Sequence, residues 1–563
     1  MKPDALLTAL EAARNRFGPG EAARTAKLLA QLAKHQFSDA HSLLRLHETL
    51  LFLRAFPQGP AVVAAVEHLL ETFHQRVEAL KPSREAFDDF DTSGMAGTVM
   101  QDTLPFEVAR WLARRIPRNV EIAWEDYFEE PHSERALAAT WPRFIPLLEE
   151  DADVEANIPW TRWLDGARGR DNELAWLLRR FEQLPLTDRG KAELYDSLRL
   201  PIRWRLGNLR LSRTRNWRRP RRIYLRTEPL ITRNQVSLAR ELARPAPKLE
   251  RLSLRDGHAV MEAIREVMLV RYRELYGTTL GDPRSVVRAD LGRGVIVYLW
   301  GLPAERRLPL RAYVAGFTLK NGVPINYVEA IGLSEWIEVG FNTFYTFRQG
   351  ETAWIYAQAL RCLCAHTGAT CISIYPYQIG LNNDEAIDSG AFWFYRKLGF
   401  RPGRSDLVRL TEREERKIAA KPRYKTPPRI LKRLAQAHMF YELGGSGIGE
   451  WDTFSTRNLA LRVNRRMARE FDGDAARLRG DAVKQVSRGL AIDPVRRTPV
   501  ERQAFQNWSL ALALIPDVAR WPQQEKKLLC QIIEAKAGRD EMRYLRLTQR
   551  HSHLRKELLR LGS

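Results

Sequence analysis

The most constraining feature of the chain is an Asn-Gly pair at 321–322 that separates two apolar runs. The runs extend from Leu308 to Leu319 and from Ile325 to Ile331, and they are rich in β-branched and aromatic residues. Asn-Gly between two such runs is typical of a tight hairpin, because both residues tolerate positive φ. The pair therefore predicts an antiparallel sheet near the middle of the chain.

The segments around this hairpin predict a mixed α+β domain over residues 249–411. Their apolar spacing favours alternating helices and strands. In chain order they are a helix at Ser253–Tyr276, a strand at Gly294–Gly301, the hairpin, a strand at Trp336–Phe347, a helix at Ala353–His366, a strand at Thr370–Tyr377, a helix at Glu385–Leu398, and two short strands around Phe400 and at Leu407–Leu410.

Residues 391–400 read A-F-W-F-Y-R-K-L-G-F. This decapeptide resembles the closing helix signature of the GNAT acyltransferase superfamily, A-x-x-F-Y-x-K-x-G-F, and the element order is the one that this family uses. The resemblance covers residues 249–411. It implies a mixed, mainly antiparallel sheet flanked by helices, an acyl-CoA such as acetyl-CoA as co-substrate, and transfer of the acyl group to an amine.

The resemblance also implies a pyrophosphate loop at the start of the helix that follows the fourth strand. Backbone N–H groups at a helix start attract anions. Glu351 stands where the family has a glycine, and an acid there is unfavourable unless its side chain turns away. The candidate donor-binding residues of this R-Q-G-E-T-A junction are Arg348, Gln349, Gly350, Glu351, Thr352 and Ala353.

Asn383 is a further candidate for binding the donor, and its role has two interpretations. Asn383 and Ala386 fit the family's N-x-x-A if the loop before the F-Y pair is extended. Alternatively Ala391 is the family's alanine, and Asp388 then replaces the asparagine.

Acyl transfer to an amine needs a base for the amine and an acid for the departing thiolate. The resemblance makes Tyr395 the candidate acid. Glu329, Glu335 and Glu338 lie in or between the predicted central strands, and we take Glu329 and Glu338 as the candidate bases. The alternation of side chains along a strand does not tell which face is the cleft. The spacing of the cysteines and histidines predicts no metal site, because no two ligand pairs flank a turn.

The flanking regions predict two further domains, since the chain is too long for one core. Residues 1–200 predict an all-α domain, either a bundle or an α-solenoid, with leucine stripes at 6–10 and 28–32 and an N-cap at Ser38 or Asp39. Residues 412–563 predict a basic, all-α C-terminal region, with a helix capped near Thr453 or Ser455.

The charge is distributed unevenly. The net charge is +22, with −7 in residues 1–200 and +29 in residues 201–563. Within a predicted connector at 201–248, Arg203–Arg226 holds ten arginines and no acid, with Trp204, Trp217 and Tyr224 between them. Such a segment is suited to nucleic acid, tRNA or other. It is also suited to pairing with the acidic N-terminal domain, to an anionic surface, or to a solvated connector.

Three functions remain open at this stage. The first is an acyl-CoA-dependent N-acyltransferase whose flanking regions select a macromolecular acceptor. The second is a Fem-type transferase that uses the same fold with aminoacyl-tRNA as donor. The third is a non-catalytic GNAT-like scaffold that binds nucleic acid or protein. No apolar run is long enough to cross a bilayer, no secretion signal is recognisable, and only four cysteines occur, so we expect a cytoplasmic protein.

Overall fold

The computed structural model describes residues 2–80, 94–145, 160–271, 276–421, 423–444, 447–493 and 496–563. The chain forms two compact units. The first comprises residues 1–218 and 263–275, and the second comprises residues 219–262 and 276–563.

The first unit begins with five helices whose leucine stripes are buried, as the sequence predicts. Leu7, Leu10, Leu29 and Leu32 are fully covered. The Asp39 side chain accepts a hydrogen bond from the Ser42 N–H and so caps the third helix. The helices are α1 (Pro3–Ala13), α2 (Glu21–Leu32), α3 (Ala40–Ala55), α4 (Pro60–Glu71) and α5 (Phe73–Glu78).

The prediction that this region is all-α is wrong, because a three-stranded antiparallel sheet follows α5. Its order is β1 (Val99–Thr103), β3 (Pro201–Arg205), β2 (Val120–Ile122). The strands are only three to five residues long, which is too short for a clear alternating pattern. The helices around them are α6 (Phe106–Arg115), α7 (Trp124–Phe128), α8 (Ser133–Thr140), α9 (Trp160–Arg168), α10 (Glu173–Gln183) and α11 (Asp188–Leu198).

The second unit is built on a nine-stranded sheet whose centre is the predicted hairpin. Asn321 and Gly322 have φ of 50° and 77°, so both turn residues are left-handed as an Asn-Gly hairpin requires. The sheet order is β11-β12-β10-β9-β8-β7-β6-β5-β4. The strands are β4 (Glu250–Arg251), β5 (Val287–Asp290), β6 (Val295–Trp300), β7 (Ala312–Lys320), β8 (Val323–Leu333), β9 (Trp336–Thr343), β10 (Cys371–Ile374), β11 (Arg401–Pro402) and β12 (Met439–Glu442).

Strands β4 to β9 are antiparallel, and β10 then pairs with β9 in parallel. The parallel pair needs a crossover, which is the predicted helix after β9. The helices up to this point are α12 (Leu238–Leu242), α13 (Leu254–Leu269), α14 (Tyr276–Thr279) and the crossover helix α15 (Thr352–Thr367). Helix α13 is divided between the two units at Glu262.

Two predicted elements beyond β10 are wrong in detail. The helix expected at Glu385–Leu398 is two helices, α16 (Asp384–Asp388) and α17 (Ala391–Lys397), separated at Gly390, whose φ is 69°. The strand expected at Leu407–Leu410 is part of α18 (Ser405–Ala420). Its buried residues recur at helical spacing, at 407, 410, 411 and 414, and so short an apolar run does not distinguish strand from helix.

The prediction that residues 412–563 are all-α is wrong, because one strand of the sheet, β12, comes from this region. Strand β12 lies between β10 and β11 and is antiparallel to both. The later helices belong to the same compact unit. They are α19 (Pro428–Leu434), α20 (Thr456–Phe471), α21 (Ala475–Leu490), α22 (Pro499–Leu512), α23 (Gln523–Ala537), α24 (Glu541–Gln549) and α25 (Ser552–Gly562).

Buried polar contacts join these C-terminal helices to β7. Lys536 donates to the Glu541 carboxylate at 2.5 Å and to the Arg311 carbonyl at 2.8 Å. The Tyr313 N–H donates to Glu541 as well. Ser455 caps α20, as the sequence predicts. Within the described part of the chain, no helix has the length and apolar character needed to span a membrane.

Candidate active site

The site of interest is the point where β9 and β10 stop pairing. The parallel ladder extends only from Trp336–Cys371 to Glu338–Ser373. Strand β10 ends at Ile374, whereas β9 continues to Thr343. Among the described strands, none pairs with this side of β9 beyond Glu338. The two strands therefore diverge at Glu338 and leave a gap in the sheet.

Glu338 lies at the start of this gap and bonds to a histidine. His438 Nε2 is 2.8 Å from Glu338 Oε2. Because a carboxylate can only accept, Nε2 is the donor in this bond, and in the neutral form of the ring Nδ1 then has the lone pair. Nδ1 has no partner among the described residues. Arg311 lies 3.4 Å from the other carboxylate oxygen. A carboxylate that orients an imidazole in this way is the arrangement of a general base and its positioning partner.

Burial raises the pKa of Glu338, but the hydrogen bond and charge of His438 and the charge of Arg311 lower it by more. The net effect is a pKa below the usual value, so Glu338 is ionised at neutral pH. An ionised Glu338 accepts from His438 and cannot be the proton donor in this pair.

Glu329 is on the same sheet face as Glu338. It lies directly opposite Gly340, two residues along β9 from Glu338, which corresponds to about 7–8 Å between α-carbons. The Tyr313 hydroxyl donates a short hydrogen bond to Glu329, and the Tyr327 hydroxyl is 3.2 Å from that of Tyr313. The carboxylate of Glu329 is thus already engaged by a buried tyrosine.

Gly340 leaves open space between the two glutamates. Among the described residues, a Cβ at this position would have one neighbour within 4 Å, Gln378 Nε2 at 3.7 Å. By contrast, a Cβ at Gly316 of β7 would lie 2.7 Å from two core side chains. The sheet face therefore carries a shallow depression beside the gap, with Glu329 on one side and the Glu338–His438 pair on the other.

Tyr395 lies on the opposite face of the sheet. The centroid of its ring is 5.7 Å from that of Tyr356 of α15, and the Tyr356 and Phe341 ring centroids are 4.7 Å apart. Phe341 points away from the face of Glu338 and Gly340, because side chains alternate along a strand. Tyr395 is 4% exposed, and burial raises its pKa, which keeps it a phenol. No described contact joins Tyr395 to Glu329 or Glu338.

The predicted pyrophosphate loop has free donors. The Gly350 N–H donates to the Phe347 carbonyl at 2.9 Å. The N–H groups of Thr352, Ala353 and Trp354 have no acceptor among the described residues, as the first turn of a helix requires. The Thr352 hydroxyl donates to the carbonyls of Phe347 and Arg348, and so it is not bonded to these N–H groups. These N–H groups, together with the dipole of the 16-residue α15, can hold an anion.

Glu351 does not oppose an anion at this helix start, because its side chain turns into the unit. It is 1% exposed. Arg293 contacts its carboxylate at 2.5 Å and Lys320 at 3.3 Å, and the Ile231 N–H also donates to it. The charge of Arg226 also interacts with that of Glu351. A second acid, Glu228, lies 3.5 Å from Arg293, so three cations face two acids.

Within this cluster, burial disfavours the charged form of Lys320. Burial lowers its pKa to about 8, although the charge of Glu351 raises it. Its Nζ donates to the Arg293 carbonyl at 2.7 Å and lies over the Tyr224 ring. The lysine thus remains mostly charged at neutral pH and keeps the surroundings of the helix start positive.

The remaining predicted donor-binding residues have mainly structural partners. Arg348 forms an ion pair with Glu385 at 2.5 Å. Asn383 caps α16 by accepting from the Ala386 N–H at 3.1 Å, and its amide donates to the Tyr377 carbonyl. Gln349 is exposed, and Ala353 is buried.

Glu335, the third predicted base candidate, is outside the gap. It accepts from Arg555 and from Trp451 at 2.7 Å, and so it fixes the C-terminal helix α25 to the sheet. Among the described residues, no group of three His, Cys, Asp or Glu side chains could hold a metal ion.

The Arg-rich segment is largely used inside its own units. In the first unit, Arg203 pairs with Asp126, Arg205 with Glu121, and Arg213 with Glu48. Trp204 is 0% exposed, so it is a core residue of β3 and no stacking platform for bases. Trp217 stacks under the Arg54 guanidinium. In the second unit, Tyr224 faces Arg293 and Lys320.

His438 is the residue of the candidate site that the sequence reasoning missed. It lies exactly one hundred positions after Glu338 along the chain and directly before β12, outside the predicted domain. The only sequence signal is the short apolar run M-F-Y at 439–441, which continues the sheet.

Comparison with known proteins finds no matching family model, no similar curated protein and no similar solved structure for this chain.

Proposed function

We propose that the chain is an N-acyltransferase of the GNAT type, which moves an acyl group, acetyl being the simplest, from acyl-CoA to an amine. The observation that carries the proposal is the divergence of the parallel β9–β10 pair at Glu338, beside a helix start with free N–H groups. A pantetheine arm can pass through a gap of this kind while its pyrophosphate binds at the start of α15.

The position of Glu351 removes the main objection from the sequence. An acid in place of glycine would repel a pyrophosphate if it faced the ligand. The carboxylate is instead 1% exposed and neutralised by Arg293 and Lys320. The loop therefore keeps a positive potential despite the altered motif.

The chemistry follows from the two faces of the gap. An amine over Gly340 loses its proton to Nδ1 of His438, which Glu338 orients, and its nitrogen attacks the thioester carbonyl carbon. The new C–N bond forms as the C–S bond breaks. Tyr395, on the other face, is the phenol that returns a proton to the thiolate. Glu338 thereby changes from candidate base to positioning residue.

The proposal is tested by the melting temperature of the full chain with and without acetyl-CoA. A ligand at about 100 times its Kd stabilises by about 2.7 kcal/mol, so a shift of several degrees is expected at about 1 mM. Gly350→Trp should abolish the shift by covering the helix start. Gly480→Trp is the matched control, because a Cβ at this exposed helix position has no neighbour within 4 Å in the described part of the chain. No shift in the wild type refutes donor binding.

A non-catalytic scaffold is the competing function, and one observation favours it. Arg221 and Arg222 are exposed and form no ion pair with described residues. Nucleic acid, tRNA included, is the proposed partner of these two arginines in Arg203–Arg226. Retardation of RNA or DNA that weakens steeply with salt would support it. The scaffold function requires this retardation with no donor shift, whereas a Fem-type enzyme requires binding of charged tRNA in particular.

A further inference from the structure

A second concave site lies in the second unit, between the loop that follows β10 and helix α19. Its cavity volume is about 460 Å³, within the range of about 300–1,000 Å³ typical of small-molecule sites. One wall is the loop with Asn382 and Asp384, and the other carries Arg429, Lys432, Arg433 and Gln436. We refer to it as the Arg429 pocket.

The loop wall is held firmly against its surroundings. Gly380 has φ of 124°, and a Cβ there would lie 2.2 Å from the Ile387 side chain and 3.7 Å from Ala435. Only glycine fits this position. Asn382 is also left-handed, with φ of 54°. The pocket shape is therefore built into the fold.

The helical wall presents more positive charge than its surroundings neutralise. Lys432 pairs with Asp384 at 2.7 Å. The guanidinium groups of Arg429 and Arg433 have no acceptor among the described residues, although they are one turn apart on α19. Like charges at this spacing destabilise a helix slightly. An anion between the two arginines would relieve that repulsion and use their bidentate geometry.

We propose that the Arg429 pocket binds the phosphomonoester of a ribose, with the phosphate on Arg429 and Arg433. Leu381 is the one apolar side chain among the lining residues, and the others except Gly380 are polar or charged, so a polar ligand fits. The Asp384 carboxylate and the Asn382 amide, on the facing wall, are suited to ribose hydroxyl groups. Arginine pairs are the usual partners of phosphate where planar, two-point recognition is needed.

Two sources of such a group fit the position of the pocket. Asp384 and Glu385 begin α16, and Glu385 pairs with Arg348 of the predicted donor loop. The ribose phosphate of the acyl donor is therefore the first source, and this part rests on the proposed function. A separate nucleotide is the other source, and it does not depend on acyl transfer.

The test uses adenosine 3′,5′-bisphosphate as the probe, titrated calorimetrically into the full chain. Arg429→Ala and Arg433→Ala should each weaken binding about tenfold. Both side chains are exposed, so neither change should disturb folding. Arg479→Ala is the matched control, since it removes one charge from an exposed position on α21 that also has no described partner.

The outcomes separate the pocket from the proposed function. Binding that is weakened about tenfold in both variants and unchanged in the control supports the pocket, whatever acetyl-CoA does. Absent binding, or equal weakening by the control, overturns it. If the acyl donor supplies the phosphate, Arg433→Ala should weaken the binding of acetyl-CoA. The same substitution should then leave the affinity for acetyl-dephospho-CoA, which lacks the phosphate, unchanged. If Arg433→Ala leaves the affinity for acetyl-CoA unchanged but weakens the binding of adenosine 3′,5′-bisphosphate, the ligand is a separate nucleotide.

Discussion

Lys320→Met tests the buried ion cluster beneath α15 without any assumption about activity. Lys320 has a side chain that is 2% exposed, and it lies 3.3 Å from Glu351. Burial lowers its pKa from 10.5 to about 8. Methionine has a similar length and no charge, so the substitution removes the titration while it keeps the packing.

The magnitude follows from proton linkage. Between the folded pKa of about 8 and the unfolded pKa of 10.5, the unfolded state binds more protons, so the free energy of unfolding of the wild type rises with pH. With these two values, the rise between about pH 7 and about pH 9.5 is about 2 kcal/mol. This part of the free energy of unfolding, which comes from the titration of Lys320, is fully present above the pKa of the unfolded state. It is lost as the pH falls through the pKa of the folded state.

The assay is urea unfolding of the full chain at several pH values in this window, for the wild type and Lys320→Met. The wild type should gain about 2 kcal/mol relative to the variant across the window. Lys484→Met, at an exposed position of α21, is the matched control and should show no such difference. A constant difference between the wild type and Lys320→Met would refute the assigned environment of the lysine.

Three further predictions concern the sheet face. Gly277→Ala should destabilise by about 1–3 kcal/mol in urea unfolding, because its Cβ would lie 2.1 Å from the Tyr313 hydroxyl. Glu338→Gln should destabilise by about 1–3 kcal/mol at neutral pH. Because the pKa of Glu338 is lowered by its partners, including His438, this difference should shrink as acid titration protonates the wild type. Gly340→Val should leave unfolding within about 0.5 kcal/mol yet reduce the acetyl-CoA shift, measured by thermal melting.

The sequence predicts those parts of the fold that depend on local chemistry. The Asn321-Gly322 hairpin, the Asp39 cap and the crossover helix after β9 are each determined by residues within one or two turns. The β1–β3–β2 sheet was missed because its strands are short, and because Arg203 and Arg205, which alternate with buried Ile202 and Trp204, were interpreted as part of an Arg-rich connector. Arg203 and Arg205 form ion pairs with Asp126 and Glu121, which are remote in sequence, so this part of the basic segment belongs to the sheet.

The candidate site could be predicted only in part, because its members meet through tertiary contacts. Glu338 was predicted as a candidate from its strand, but His438 reaches it from the position directly before β12, on the far side of β10. The direction of the Glu351 side chain depends on Arg293 and Lys320, which lie on two hairpins remote in sequence. No local pattern reports such pairings.

Hydrogen–deuterium exchange with acetyl-CoA tests the central proposal most directly, because it observes the N–H groups that would hold the pyrophosphate. The peptide at 348–355 covers the three free donors at Thr352, Ala353 and Trp354. We expect saturating acetyl-CoA to slow exchange there and along 339–343 of β9, and Gly350→Trp to remove both effects. Unchanged exchange in both segments, under conditions where acetyl-CoA binds, would contradict the proposal.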